Sequence, residues 1–102
     1  MQSEHQFQRK VKKKLNSIER CYHFTKEALA LRGLPDIVGC YQGQFFAWEL
    51  KKDKKEAQKK TGRNVLQWYI LEQIRKAGGI GEVVYPDNLE DKLQELLSTH
   101  RH

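Results

Sequence analysis

Residues 44 to 51, QFFAWELK, constrain the fold most strongly because they alternate with the two-residue period of a β-strand. In such a strand Phe46 and Trp48 point to one face of the sheet, whereas Glu49 and Lys51 share the other face. A carboxylate beside a lysine in such aromatic surroundings is costly to desolvate unless another group compensates for the lost hydration. A bound cation is a natural compensator, so this strand is a candidate site.

The N-terminal pattern predicts an amphipathic helix with its basic side outward. Ser3 and Gln6 have the spacing of a capping box, and Phe7, Val11 and Leu15 recur at intervals of four residues. The predicted elements, in chain order, are a helix over residues 4 to 16, a strand over 20 to 25, a turn over 26 to 32, strands over 36 to 41 and 44 to 51, a mobile loop over 52 to 63, a helix over 64 to 77, a strand over 80 to 85 and a helix from 86 onward.

These elements predict an α/β fold. Three locally joined strands and a fourth that is reached through a helix are expected to form one central four-stranded mixed sheet, flanked by helices and followed by a C-terminal helix. The chain has 102 residues and contains no internal repeat or linker, so residues 1–102 are expected to form a single domain.

The net charge of +6 is concentrated in two segments. Residues 9–14 contain five basic residues and no acid, and residues 51–60, the lysine segment, contain six lysines and two acids. Together they carry a charge of +9, so the rest of the chain is acidic overall. A basic surface that is confined to two segments favours a polyanion such as nucleic acid, because each neutralised phosphate releases condensed counterions.

Several patterns argue against a membrane or secreted protein. The basic N-terminal helix lacks the Trp-rich apolar face of membrane-surface helices, and no apolar run is long enough to span a bilayer. The first ten residues contain no apolar signal core, and Cys21 and Cys40 have neither CxxC nor zinc-ligand spacing. We therefore expect a reduced, cytoplasmic protein that stays in the cell or host in which it is made.

A second carboxylate, Asp36, is expected close to Glu49 because the second and third strands pair through the turn at residues 42 and 43. Mg²⁺ takes hard oxygen ligands, usually one or two carboxylates with waters in the remaining positions. Asp36, Glu49 and the backbone carbonyl of Leu50 can supply these ligands, with Lys51 beside the attacking water. Alternatively, Glu49 and Lys51 form an exposed edge-strand pair and Asp36 is a turn residue.

The acid-x-Lys pattern alone is unspecific, because the chain contains it at Glu49-x-Lys51, Asp53-x-Lys55 and Glu90-x-Lys92. The first occurrence is the one in an aromatic strand with a Pro-Asp pair one hairpin earlier. The second lies in the lysine segment and the third on a helix face that is expected to be solvated. Context therefore selects Glu49 and Lys51 as the candidate site.

Pro35-Asp36 followed by Glu49-x-Lys51 resembles the signature of the PD-(D/E)xK nuclease superfamily, and the closer resemblance is to the VRR-NUC family. It covers residues 3 to 97 and rests on RGLPD at 32–36, WELKK at 48–52, LQWYILEQIRKAGG at 66–79 and the strand with LEDKLQELL that follows. The resemblance implies a restriction-endonuclease-like core of order αβββαβ. It also implies Mg²⁺-dependent DNA cleavage, with Mn²⁺ as a substitute, on branched DNA such as four-way (Holliday) junctions.

The resemblance adds two residues to the site. It maps the family's acidic helix position onto Glu4, as a metal ligand beside Asp36, Glu49 and the Leu50 carbonyl, and its helix glutamine onto Gln67. Gln67 thereby joins Asp36, Glu49 and Lys51 as a catalytic residue. Each addition has a structural alternative: the helix dipole favours an acid at the start of a helix, and an amide can simply cap the edge of the core.

A catalytic core without an appended recognition domain must bind DNA with its own surface. A homodimer is expected because cutting both strands requires two sites. The alternative is a non-catalytic nucleic-acid-binding module that retains the nuclease fold. The basic residues assigned to phosphate contact are Lys10, Lys13, Lys14, Lys52, Lys54, Lys55, Lys59, Lys60 and Arg63.

Overall fold

A computed structural model describes residues 3–26, 34–62 and 64–98, and its strands form one mixed sheet. In chain order the elements are α1 (Glu4–Asn16), β1 (Cys21–Thr25), β2 (Ile37–Tyr41), β3 (Gln44–Leu50), α2 (Lys54–Ala57), α3 (Asn64–Lys76), β4 (Ile80–Val84), a 3₁₀ turn (Pro86–Asn88) and α4 (Leu89–Leu97). The sheet order is β1-β2-β3-β4, in which β3 and β4 are parallel and the other neighbours are antiparallel. The predicted α/β class with a four-stranded mixed sheet is confirmed.

Helix α1 begins and packs as its sequence predicts. The hydroxyl of Ser3 accepts a hydrogen bond from N of Gln6 (3.1 Å), and Oε1 of Gln6 accepts one from N of Ser3 (3.0 Å). This reciprocal pair is a capping box and satisfies two backbone donors at the helix start. Phe7, Val11 and Leu15 are fully buried, so α1 contributes its apolar stripe to the core.

One face of the sheet packs against α1 and α4. Phe46, Trp48 and Leu50 of β3 are almost completely buried and belong to one cluster with the apolar stripes of both helices. The rings of Phe46 and Trp48 meet edge to face, with centroids 5.5 Å apart. The aromatic side of the predicted strand is thus the core side, which directs Glu49 to the opposite face of the sheet.

Helix α3 covers that opposite face over β3 and β4. Leu71 is its fully buried residue, and Gly81 of β4 lies beneath it. A Cβ atom at Gly81 would lie 2.8 Å from the carbonyl oxygen of Leu71, so the absence of a side chain permits this close approach. Hydrogen bonds from Lys51 to Asn64 and Gln67 place the N-terminal part of α3 near the carboxyl end of β3, where the candidate site lies.

The prediction of a structureless loop over residues 52 to 63 is wrong in its first half. Lys54–Ala57 forms the short helix α2, and Asp53 caps it by accepting a hydrogen bond of 2.8 Å from N of Glu56. A single helical turn shows no hydrophobic period, so the capping aspartate is its main sequence signal. The predicted turn over residues 26 to 32 falls outside the described residues, except for Lys26.

Candidate active site

The strand register brings Asp36 and Glu49 opposite each other on the α3 side of the sheet. Ile37 pairs with Trp48, so the residue before Ile37 faces the residue after Trp48. Residues that are directly opposite on antiparallel strands have Cβ atoms about 4.5–5.5 Å apart. Oδ2 of Asp36 accepts a hydrogen bond of 2.8 Å from N of Leu50, which fixes the aspartate beside the end of β3. The structure thus brings the two predicted carboxylates together.

The ammonium group of Lys51 is held over this pair by α3. Its Nζ lies 3.2 Å from Oδ1 of Asn64, 3.1 Å from Oε1 of Gln67 and 3.5 Å from Oε2 of Glu49. An ammonium group has three donors, and two of these contacts are hydrogen bonds from Lys51 to side-chain amide oxygens. The side chain is only 14% exposed. Gln67 therefore orients the lysine, and Asn64, which the sequence did not single out, does the same.

A second lysine, Lys26, reaches the same carboxylates from the end of β1. Its Nζ lies 3.1 Å from Oδ1 of Asp36, and its backbone N donates to the carbonyl oxygen of Asp36 at 3.0 Å. These contacts extend the β1–β2 register by one pair beyond Thr25 and Ile37. Sequence reasoning missed Lys26 because a long connection separates it from Asp36, so its register with β2 could not be read from the chain.

Burial makes the carboxylate of Glu49 an unusual acid. The side chain is only 3% exposed, and its Oε1 has no hydrogen-bond partner among the described residues. Burial and then the neighbouring charge of Asp36 raise the pKa of Glu49 to about 7, although Lys51 and Lys26 oppose the shift. At neutral pH this carboxylate is therefore poised between its protonated and ionised forms.

The oxygen atoms of Asp36, Glu49 and Leu50 suit a hard divalent cation. The unpaired Oε1 of Glu49 is a buried acceptor beside a second carboxylate, and such an acceptor is stabilised by a cation. In an extended strand the N–H and C=O of one residue point to the same side, so the carbonyl of Leu50 lies on the β2 side of β3, as its N–H does. Two carboxylates, a carbonyl and waters are a ligand set that suits Mg²⁺.

Glu4 is placed differently from the other predicted metal ligands. It is the first residue of α1 and is exposed, in the first turn where the helix dipole favours an acid. In the part of the chain that the structure describes, no three His, Cys, Asp or Glu side chains form a group that could hold a metal ion. The structure therefore does not bring Glu4 to Asp36 and Glu49, and its role as a ligand stays a prediction.

The lysine segment connects two elements of the site, because it follows β3 and leads into α3. The carbonyl oxygen of Lys59 accepts hydrogen bonds from Nδ2 of Asn64 (3.0 Å) and Nε1 of Trp68 (2.9 Å). The ammonium of Lys60 lies 4.6 Å from the centroid of the Trp68 ring, in a cation–π contact. These contacts hold the end of the segment on α3.

The lysine segment exposes five of the residues that were predicted to contact phosphates, which are Lys52, Lys54, Lys55, Lys59 and Lys60.

The remaining predicted phosphate contacts lie elsewhere. Lys10, Lys13 and Lys14 belong to α1, on the sheet face opposite to α3, and Lys14 pairs with Glu90 of α4 at 3.0 Å. Arg63 lies outside the described residues. No helix within the described ranges is long and apolar enough to cross a membrane. Helix α1 thus lies on the sheet face opposite to α3, and the lysine segment ends on α3.

Comparison with known proteins identified no relative of this chain. No protein-family model, no curated protein and no solved structure matches the chain. The function is therefore inferred from the site itself: two carboxylates from adjacent strands, two ammonium groups beside them and a lysine-rich surface that begins at the same strand end.

Replacing Glu49 with glutamine is expected to stabilise the metal-free protein more at high pH than at low pH. The pKa of Glu49 is about 7 in the folded protein and 4.5 ordinarily, so folding takes up a proton between these values. The stability linked to the protonated carboxyl is therefore complete below pH 4.5 and is lost as the pH rises through about 7. Glutamine resembles the protonated form at every pH, so the advantage of E49Q should grow by on the order of 1–3 kcal/mol.

The measurement is urea denaturation of both proteins in EDTA at about pH 5 and about pH 8. Glu90→Gln is the matched control, because its side chain is 69% exposed and its substitution should give a small difference with little pH dependence. If the gap between E49Q and the wild type were the same at both pH values, the raised pKa of Glu49 would be wrong.

Proposed function

We propose that this chain is a metal-dependent DNA endonuclease of the VRR-NUC type, with a restriction-endonuclease-like core. The observation that carries the proposal is the convergence of Asp36 and Glu49 at one end of the sheet, with the ammonium of Lys51 held beside them. The unpaired, buried Oε1 of Glu49 supports a cation at this place. Together these groups provide what phosphodiester hydrolysis requires.

Hydrolysis needs a water in line with the leaving 3′ oxygen and stabilisation of the negative charge that gathers on the phosphate oxygens. A bound Mg²⁺ supplies Lewis-acid stabilisation of that charge and lowers the pKa of its waters. Asp36 and Glu49 would hold the ion through carboxylate oxygens, and Leu50 would hold it through its carbonyl. Mn²⁺ accepts the same oxygen ligands and is expected to substitute.

Lys51 orients the attacking water and stabilises the charge of the transition state. Its ammonium is already fixed by Asn64 and Gln67, so it loses little further freedom when the reaction occurs. As the water oxygen bonds to phosphorus, the bond from phosphorus to the 3′ oxygen breaks. The water loses a proton to solvent and the 3′ oxygen gains one. Asn64 and Gln67 act as positioning residues in this scheme.

The lysine segment is the proposed contact surface for phosphates next to the scissile bond. It begins at Lys51, a residue of the site, and its far end is bound to α3 through the hydrogen bond between Lys59 and Trp68. Such contacts orient DNA without reading its sequence. The choice of branched DNA as the substrate rests on the resemblance to the VRR-NUC family alone, since no contact that the structure describes at the site specifies it. A homodimer would supply the second site that cleavage of both strands requires.

One observation favours the alternative of a binding module without catalysis. Each carboxylate already has a lysine partner, Lys26 for Asp36 and Lys51 for Glu49, so the charges of the site balance without a metal ion. A protein of this kind would use the lysine segment for DNA and would cleave nothing. The two functions differ in whether product forms when Mg²⁺ is added to bound DNA.

Cleavage of a labelled four-way junction tests the endonuclease proposal. The wild type should form product with Mg²⁺ and none with EDTA. Asp36→Asn removes a ligand charge and Lys51→Ala removes the orienting ammonium, so each should lower the single-turnover rate by at least about 100-fold. Asp53→Asn and Lys76→Ala are matched controls and should retain the wild-type rate within about threefold, because Asp53 caps α2 and Lys76 lies at the far end of α3.

A second readout separates the two functions. Binding of the junction in EDTA is measured with the same proteins by fluorescence anisotropy. If the wild type binds the junction but forms no product with either Mg²⁺ or Mn²⁺, the non-catalytic alternative is correct. Loss of activity in D53N as complete as that in D36N would contradict the assignment of the site.

Binding is also expected to depend steeply on salt concentration. Neutralised phosphates release counterions, so the slope of log affinity against log salt counts the lysines in contact. Replacing Lys54 and Lys55 with glutamine should reduce the magnitude of this slope by about one for each lysine. Lys76→Gln, an exposed lysine at the other end of α3, should leave it unchanged. A flat salt dependence for the wild type would contradict phosphate contact by this segment.

A further inference from the structure

We propose that Lys26 is a built-in counter-ion that occupies the cation site in the metal-free protein and must leave Asp36 before a divalent cation binds. This inference rests on the proposed function and concerns how the site controls its metal affinity. Lys26 stands outside the acid-x-Lys pattern and was found only through the geometry of the sheet ends.

Both carboxylate oxygens of Asp36 are engaged. Oδ2 accepts the N–H of Leu50 at 2.8 Å, and Oδ1 lies 3.1 Å from the ammonium of Lys26. A cation bound to Asp36 would lie about 2.1 Å from a carboxylate oxygen, so Mg²⁺ and the ammonium would be within roughly 5 Å of each other. Two positive charges this close in a partly buried site repel strongly. Metal and Lys26 therefore compete for the same carboxylate.

The two lysines of the site differ in their exposure to solvent. The side chain of Lys26 is 37% exposed, whereas that of Lys51 is 14% exposed. The backbone of Lys26 is fixed by its hydrogen bond to Asp36, but a lysine side chain has four rotatable bonds, so its ammonium can move while the strand stays in place. The ammonium of Lys26, the more exposed of the two, is therefore the one that moves away from Asp36 when a cation binds.

This role explains how two facing carboxylates coexist without a metal. Carboxylates that share a site repel each other unless a positive charge or a proton lies between them. Lys26 supplies such a charge on the Asp36 side, and the coulombic influence of Lys26 also reaches Glu49. The consequence is a cost to metal binding, because the cation must replace an existing ion pair.

The test is titration of the full chain with Mn²⁺ alone, without DNA, by isothermal calorimetry. Lys26→Met keeps most of the length of the unbranched side chain and removes its charge, so it should bind Mn²⁺ at least about fivefold more tightly than the wild type. Lys92→Met is the matched control, because Lys92 also loses an ion pair, with Glu82 at 3.1 Å, but belongs to α4 on the other sheet face. Its affinity should stay within about twofold of the wild type.

The outcomes separate this inference from the proposed function. If the wild type binds Mn²⁺ and K26M binds it equally or more weakly, the counter-ion role is wrong while the metal site stands. If neither protein binds Mn²⁺, both the metal site and the role of Lys26 are wrong. Should K26M not fold, NMR of lysine-labelled wild type decides. Mg²⁺ must shift the Cε and Nζ signals of Lys26 and leave those of Lys92 in place, and unshifted Lys26 signals overturn the inference.

Discussion

The antiparallel register of β2 and β3 is the constraint on which the site depends. It places Asp36 opposite Glu49 on the sheet face away from the aromatic core, and a slip of one residue would send Glu49 into that core. The packing of Phe46 and Trp48 against α1 and α4 opposes such a slip. The hydrophobic core therefore fixes the position of a polar pair that would otherwise be unfavourable.

Several neighbouring groups offset the free-energy cost of burying Asp36 and Glu49 side by side. Lys51 and Lys26 bring two positive charges to the two carboxylates, and α3 supplies amide oxygens that hold Lys51 in place. Helix α3 can do so because Gly81 lets its backbone approach β4 closely. Among the residues that the structure describes, Oε1 of Glu49 still has no hydrogen-bond partner, and the pKa of Glu49 is raised to about 7. That residual cost is the physical argument for a ligand, since strongly perturbed acids concentrate at functional sites.

The parts of the site that depend on local periodicity could be predicted from the sequence. Alternation in one strand separated Glu49 from the core, and the short hairpin brought Asp36 near it. The sequence did not predict Lys26 or Asn64 as site residues. The position of Lys26 depends on a long connection between strands, and that of Asn64 depends on how α3 crosses the sheet, and no local pattern specifies either. Helix α2 was not predicted because a single turn is too short to show a hydrophobic period. The family resemblance extended the site to Gln67, which does contact Lys51.

The proposed function requires Asp36 and Glu49 to share one divalent cation. Crystals soaked in Mn²⁺ and measured at the manganese absorption edge test it directly, because the anomalous signal locates the ion without reference to activity. We expect one strong peak between the two carboxylates, about 2.1–2.2 Å from an oxygen of each. A fully occupied peak elsewhere, or none beside these residues at millimolar Mn²⁺, would contradict it.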